Sequence, residues 1–397
     1  MNAQCETPFS ENTQIMDERL LHIVGMYKSG TSWLSHVLAS HPQVVGWDEF
    51  DPLKMAFKEE RWEDPPEPTR LQRLITRLVG LRSNAFEHIP DVTMAPMSPT
   101  EVFEGFFVGQ GWLPLRGEGK REQAARIDSS CSCRFLDEFL KLADTSIWKE
   151  FTKHMDPATV DFALDYRHAG KRSLVRLMDL VRSSEDPSVS VRAFYDYLQS
   201  QVPPGTFTAV KAANQIQRIP LLHSICPNSR KIAIVRDARD VAVSASKYQQ
   251  LMVTLDAPWK EDKERYEKRL IGWSRRIRLL MKYQKAYGLI VLRYEDLKAD
   301  FAGVTGRLFE QLGLHVSEAL LNDVERKTSF ETVSGGREPG KEATHQIRKG
   351  VVGDWRSVFS EQDSQLAWEL AGAELAYLGY TPSGELKAPP KQFLTSC

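Results

Sequence analysis

Gly25 to Leu34 reads GMYKSGTSWL, a glycine loop followed by hydroxyl residues, and that combination points to phosphate chemistry. Gly25 and Gly30 have the spacing of the P-loop pattern G-x-x-x-x-G-K-[ST], and Ser32 fills its hydroxyl position. Thr31 stands where the P-loop lysine belongs, while Lys28 lies inside the loop. A loop that runs into a helix aims backbone N–H groups at one point with the helix dipole behind them. Ser29, Thr31 and Ser32 add donors, so a phosphate cradle is expected; the alternative is a bare glycine turn. In a triphosphatase the lysine spans the β- and γ-phosphates, and the hydroxyl holds Mg²⁺ with a Walker-B aspartate. Asp237 follows the apolar run KIAIV and takes that place, but Arg236 directly precedes it and puts a cation beside the metal. ATP hydrolysis is therefore disfavoured, and no metal is expected.

Two further stretches could hold anions. In VRDARDVAVSAS, Arg236 and Ser244 lie eight residues apart across a turn into a helix, and a guanidinium fork plus a hydroxyl can clamp a second phosphate. The alternative is that Arg236, Asp237, Arg239 and Asp240 pair with one another in a solvated loop. In IRKGVVGDW, Arg348 and Lys349 place two cations beside Gly350, where the backbone can approach a ligand closely. The glycine-rich GGREPGKEATHQ before it reads as a loop that folds over an anion; the alternative is a surface charge cluster.

These residues need strand ends and helix starts to converge. RLLHIVGM reads as a buried parallel strand, Trp33, Leu34, Val37 and Leu38 recur at helical spacing, SHP closes that helix, and QVVGW is a second strand before Asp48 and Glu49. Such a βαβ unit builds a parallel sheet. GTFTAVK, RKIAIV and YGLIVLRYEDL supply more strands, and WSRRIRLLMKYQKAY is a basic amphipathic helix. The expected fold is α/β: a P-loop-type parallel β-sheet flanked by helices, with a large, mostly helical insertion. Residues 1–18 read as a polar tail, 19–380 as one domain with 51–204 as a helical insertion or cap, and 381–397 as a loop-like, mobile tail. The 397 residues are 42% hydrophobic and 26% charged with net charge −1, so no global basic field argues for nucleic acid or a membrane surface. Five cysteines are too few for a disulfide scaffold, and Cys131–Cys133 lacks metal-site spacing. The polar opening residues read as no signal peptide, and no apolar run is long enough to cross a bilayer, so a cytoplasmic protein is expected.

In order and rough spacing, YKSGTSWL, RDARDVAVSASKY, VLRYEDL, KTSFETV and RKGVVGDW resemble the cytosolic-type sulfotransferases. Those enzymes move a sulfuryl group from 3′-phosphoadenosine 5′-phosphosulfate (PAPS) to a hydroxyl or amine. The resemblance spans about 19–49 and 208–359. It implies that Lys28, Ser29, Gly30, Thr31 and Ser32 hold the 5′-phosphosulfate and that Trp33 stacks on the adenine. Arg236, Ser244, Arg348, Lys349 and Gly350 would bind the 3′-phosphate, and Tyr294, Thr328 and Phe330 would line the adenine pocket. The residues alone leave Trp33 and Phe330 as ordinary core aromatics. Lys211, matching a family lysine near the transferring group, would share catalysis; otherwise it is a surface lysine at a strand end. This chemistry also accounts for the loop lysine, which would stabilise charge on the bridging oxygen as sulfur departs.

The acceptor must lose a proton. Many members use a histidine in KTH, whereas VKAAN here places Ala213 or Asn214 at that point. Asp48 or Glu49, in HPQVVGWDEF, resembles the acid at the end of the second strand that tyrosylprotein sulfotransferases use as base. That strand is expected beside the loop strand, where carboxyl ends face the ligand crevice; an acidic turn in water is the alternative. His88, His154 and His168 of the insertion are second candidates, and His22 and His36 read as structural. The acceptor is expected to be a small organic molecule. Oligomerisation is open, since RSVFSEQDSQ departs from the segment through which cytosolic members pair. The competing functions are a Mg²⁺-dependent P-loop kinase and a catalytically inactive nucleotide-binding module.

Overall fold

A computed structural model of the chain describes residues 17–47, 52–61, 90–96, 186–212, 215–253, 263–341 and 349–394. Its strands are β1 (Leu20–Gly25), β2 (Val44–Trp47), β3 (Phe57–Arg61), β4 (Thr93–Pro96), β5 (Phe207–Lys211), β6 (Arg230–Val235) and β7 (Ile290–Arg293). Five of them form one sheet in the order β2-β5-β1-β6-β7, every pairing parallel. The expected parallel α/β sheet is present.

Both faces of the sheet are covered, which explains why its strands read as continuous apolar runs. Side chains alternate between two cores. Val24, Val235 and Val291 enter one core, with Trp273, Ile277 and Leu280 of the long helix Lys263–Tyr287 and Ala367, Ala371 and Leu375 of the helix Glu361–Tyr377. Ile23, Ile234 and Leu292 enter the other, with Leu34, Val37 and Leu38 of α1 (Thr31–Ala39) and with Val304 and Leu308 of the helix Phe301–Gln311.

Two expectations need correction, and another, the mostly helical insertion, gains a detail. First, β2 does not lie beside β1: β5 fills the place between them. The β1–α1–β2 crossover spans two strand positions, and β5 enters the gap when the chain returns, pairing on both edges. Second, the described part of the insertion is not only helical. It contains the antiparallel pair β3–β4 as well as the helix Pro187–Ser200; the other residues of 51–204 lie outside the described ones. Third, the segment after 380 is irregular but packed. Phe393 and Leu394 are buried, and the Leu394 N–H donates to the Val291 carbonyl at 2.8 Å, on the open edge of β7. In YGLIVLRYEDL the strand covers only Ile290–Arg293. Tyr294 opens α2 (Tyr294–Ala299), whose first turn holds Glu295 and Asp296, the charges that favour a helix start. RSVFSEQDSQ, for its part, starts the helix Glu361–Tyr377 through a capping box between Ser360 and Asp363.

Candidate active site

At the carboxyl edge of the sheet, Gly25 and Lys211 end β1 and β5, and Arg236 and Tyr294 directly follow β6 and β7, where the crevice of an open parallel sheet is expected. Gly25 closes β1 and has no room for a side chain: a Cβ would lie 2.8 Å from the Ile234 carbonyl oxygen and 2.8 Å from Thr31 Cγ2. The chain then turns tightly, with the Ser29 N–H and Oγ both donating to the Met26 carbonyl at 3.1 and 2.6 Å. Lys28 holds φ 66° and Gly30 φ 103°, and Lys28 is the one non-glycine residue in that region among the described residues. Its ammonium lies 5.5 Å from the centre of the Tyr27 ring. Gly30 caps α1 with no side-chain acceptor, and the first turn carries no acid. The opening N–H groups of the helix are thus left for a ligand, and a ligand of negative charge suits them.

Lys211 ends β5 and is 1% exposed, so it is not a surface lysine; its ammonium donates to Ser32 Oγ at 2.8 Å. The second cation comes from β6. Arg236 donates to the Val351 carbonyl at 2.8 Å and pairs with Asp240 at 3.1 Å, and its other terminal nitrogen approaches the Lys28 carbonyl at 3.5 Å. Its guanidinium lies 4.5 Å from the Tyr294 ring centre, and its Nε is buried with no partner among the described residues. An unpaired buried donor beside an uncapped helix start is what an incoming anion would satisfy. Burial works against the charge of Arg236, but Asp240, Tyr294 and Glu295 hold its pKa above the ordinary arginine value.

Asp240 gathers the third stretch. It is 1% exposed, and besides Arg236 it accepts the N–H groups of Gly353 at 2.8 Å and Trp355 at 3.0 Å. Lys349 pairs with Asp354 at 2.8 Å, and Gly350 lies flat against the Phe330 ring, which leaves no space for a Cβ. The Trp33 indole donates to the Thr328 carbonyl at 3.0 Å and meets the Tyr294 ring edge-on at 5.3 Å. Trp33 thus joins Tyr294 to Thr328, and Phe330 follows two residues after Thr328. Ser244 lies two turns into the helix Ala238–Val253 and is buried.

The four charges of VRDARD do not solvate a loop. Asp237, Arg239 and Asp240 are buried, and Arg239 grips both Asp237 oxygens while stacking 3.9 Å from the Trp355 ring centre. Burial pushes the Asp237 carboxyl up, and Arg239 opposes that shift. A carboxylate engaged in this way is a poor Walker-B ligand.

A model of the sulfotransferase domain matches residues 167–378, more than half of the chain. The chain belongs to the sulfotransferase family. It is accordingly a PAPS-dependent enzyme of sulfuryl transfer. Sulfotransferase 1C2 of Oryctolagus cuniculus is 22% identical over 234 residues, which are 52% of this chain and 79% of that protein. Among solved structures, mouse sulfotransferase SULT7A1 complexed with PAP aligns with 46% of this chain and 69% of its own at 19% identity and a TM-score of 0.37. Retinol dehydratase in a complex with retinol and PAP aligns with 94% and 84% at 14% identity and a TM-score of 0.42.

The glycine loop lies outside the matched stretch, and the fold carries it onto Arg236, which lies inside. Of the other residues singled out in the sequence, Asp48, Glu49, Ala213, Asn214, His88, His154, His168 and Arg348 lie outside the described residues. His22 is a core residue: it packs edge-on against Tyr195, and burial holds its pKa well below the usual value. His36 sits in the last turn of α1. Sequence reading gave no role to Lys298, whose ammonium lies 5.2 Å from the Trp33 ring centre and whose pKa is lowered by burial and by Arg236. It also missed Asp240 as the anchor of the Gly353–Trp355 turn, because a partner 115 residues away leaves no local pattern.

Proposed function

We propose that this sulfotransferase binds PAPS across the carboxyl edge of β1, β5, β6 and β7 and passes its sulfuryl group to a hydroxyl or amine of a small organic acceptor. The observation that carries the reading is the meeting of an uncapped, acid-free helix start with Lys211–Ser32 on one side and Arg236 on the other. In this assignment Lys28, Ser29, Gly30, Thr31 and Ser32 hold the 5′-phosphosulfate, while Arg236, Ser244, Arg348, Lys349 and Gly350 take the 3′-phosphate. Trp33, Tyr294, Thr328 and Phe330 receive the adenine. Lys349 would exchange or share its pairing with Asp354 when the phosphate arrives.

PAPS brings the transferable sulfuryl group. Lys28 and Lys211 neutralise the oxygen that sulfur leaves in an in-line displacement, an electrostatic contribution that needs no metal in this reading. Asp48 or Glu49 removes the acceptor proton. Both follow Trp47, the last residue of β2, whose parallel partner is Val210, the residue before Lys211. Residues 19–380 form the catalytic domain, with 51–204 selecting the acceptor. In this reading the protein is cytoplasmic.

Thermal melts test the donor assignment. Adenosine 3′,5′-bisphosphate should raise Tm, whereas ATP with Mg²⁺ and AMP should not, because only a ligand of the folded state stabilises it. A response to ATP–Mg²⁺ alone would restore the kinase reading. With a responsive acceptor from a phenol, alcohol and amine panel, Lys28→Ala should lower turnover about a hundredfold or more. Asp48→Asn and Glu49→Gln, tested separately, should show which carboxylate shapes the acidic limb of the rate profile.

A further inference from the structure

The C-terminal residues 378–394 lie outside the nucleotide motifs, yet three arginines that adjoin those motifs hold their backbone. Arg239 donates to the carbonyls of Thr381 at 3.0 Å and Pro382 at 2.9 Å. Arg293 donates to those of Leu378 and Lys387, both at 2.9 Å. Arg356 donates to those of Ser383 at 3.3 Å and Gly384 at 2.7 Å. The segment also sends one side chain inward. Tyr380, 2% exposed, donates its hydroxyl to Glu295 Oε2 at 2.7 Å. The other oxygen of Glu295 accepts the Asp237 N–H at 3.1 Å.

The place of that carboxylate gives it leverage. Glu295 follows Tyr294, and Asp237 follows Arg236, so one side chain ties together the backbones that carry the aromatic ring and the guanidinium stacked on it. Arg239 completes the frame by gripping Asp237 from the strap side. Every donor onto Glu295 needs an acceptor, and an amide at this position can accept through its oxygen only. We propose that Tyr380 and Glu295 are positioning residues for donor binding: residues 378–394 form a strap that docks through them onto the Asp237 peptide and so fixes Arg236. The proposal rests on the reading of Arg236 as a contact of the 3′-phosphate. A strap that merely stabilised the fold would make the same contacts, so the test must read nucleotide affinity apart from stability.

Calorimetric titration with adenosine 3′,5′-bisphosphate would compare the wild type with Tyr380→Phe, Glu295→Gln, the double variant and Arg236→Ala. Each strap variant should bind roughly 5- to 10-fold more weakly, within the usual range for coupling between separate sites. The double variant should be little worse than the weaker single one, because both substitutions cut the same link. In turnover the loss should fall on KM for PAPS rather than on kcat. Unchanged affinity in folded Tyr380→Phe and Glu295→Gln, with Arg236→Ala weakened, would overturn the strap and leave the Arg236 reading standing. Unchanged affinity in Arg236→Ala would remove both. Should a strap variant fail to fold, amide exchange of the wild-type protein decides the matter. Bisphosphate binding should slow exchange across 378–394, and identical exchange with and without it would overturn the proposal.

Discussion

Lys28 carries two demands at once, a cation inside the loop and a backbone at φ 66°. That conformation costs a residue with a side chain about 1–3 kcal/mol, and glycine escapes most of the cost. Lys28→Gly should therefore leave Tm unchanged or raise stability by about 1 kcal/mol, while turnover falls at least about a hundredfold. Melts and initial rates on one preparation check both signs; a clear loss of stability would mean that the lysine side chain itself supports the turn. At this scale the sequence was most readable where chemistry is local. The spacing of Gly25, Gly30 and Ser32 marked the glycine turn and the helix start after it, because a helix start needs only its own neighbours. Lys211 was readable only through family resemblance, since its partner Ser32 is 179 residues away.

Between elements the decisive group is Asp240. It joins the helix Ala238–Val253 to the Gly353–Trp355 turn and to Arg236, with its side chain wholly buried. Asp240→Ala should cost about 3 kcal/mol or more, because it leaves a guanidinium uncompensated in the interior and two N–H groups unpaired. Urea unfolding measures the loss, and weakened bisphosphate binding in the remaining folded protein should accompany it. Strands and helices were legible from periodicity alone: KIAIV, LIVLR and the glycine loop lie where the pattern put them. Strand order was not. An apolar run states that a strand is buried on both faces, not which strand lies beside it, so β5 between β1 and β2 came only with the fold. The packing of 381–394 escaped for a similar reason: its backbone is held by distant arginines, and its own residues look like loop.

The whole molecule should register one buried carboxyl in its response to pH. Burial, reinforced by Asp237 and opposed by Arg236, raises Glu295 to about 7 from an ordinary 4.5. A carboxyl whose pKa is higher when folded takes up protons on folding. Its contribution is full below about pH 4.5 and is lost as pH rises through about 7. Melts across that window should show a downward trend in Tm that Glu295→Gln lacks; a variant that retains the full trend would assign it to other groups. Among the described residues no helix is long and apolar enough to cross a membrane. The sheet itself has a last consequence. The chain leaves β2 at Trp47 and re-enters at Phe207 in the strand directly alongside, so about 160 residues depart from and return to neighbouring rungs of one ladder. Lengthening a connection between fixed ends costs little: each doubling adds only about 0.6 kcal/mol of closure entropy. The excursion can therefore change in length while the two rungs that it joins stay in register.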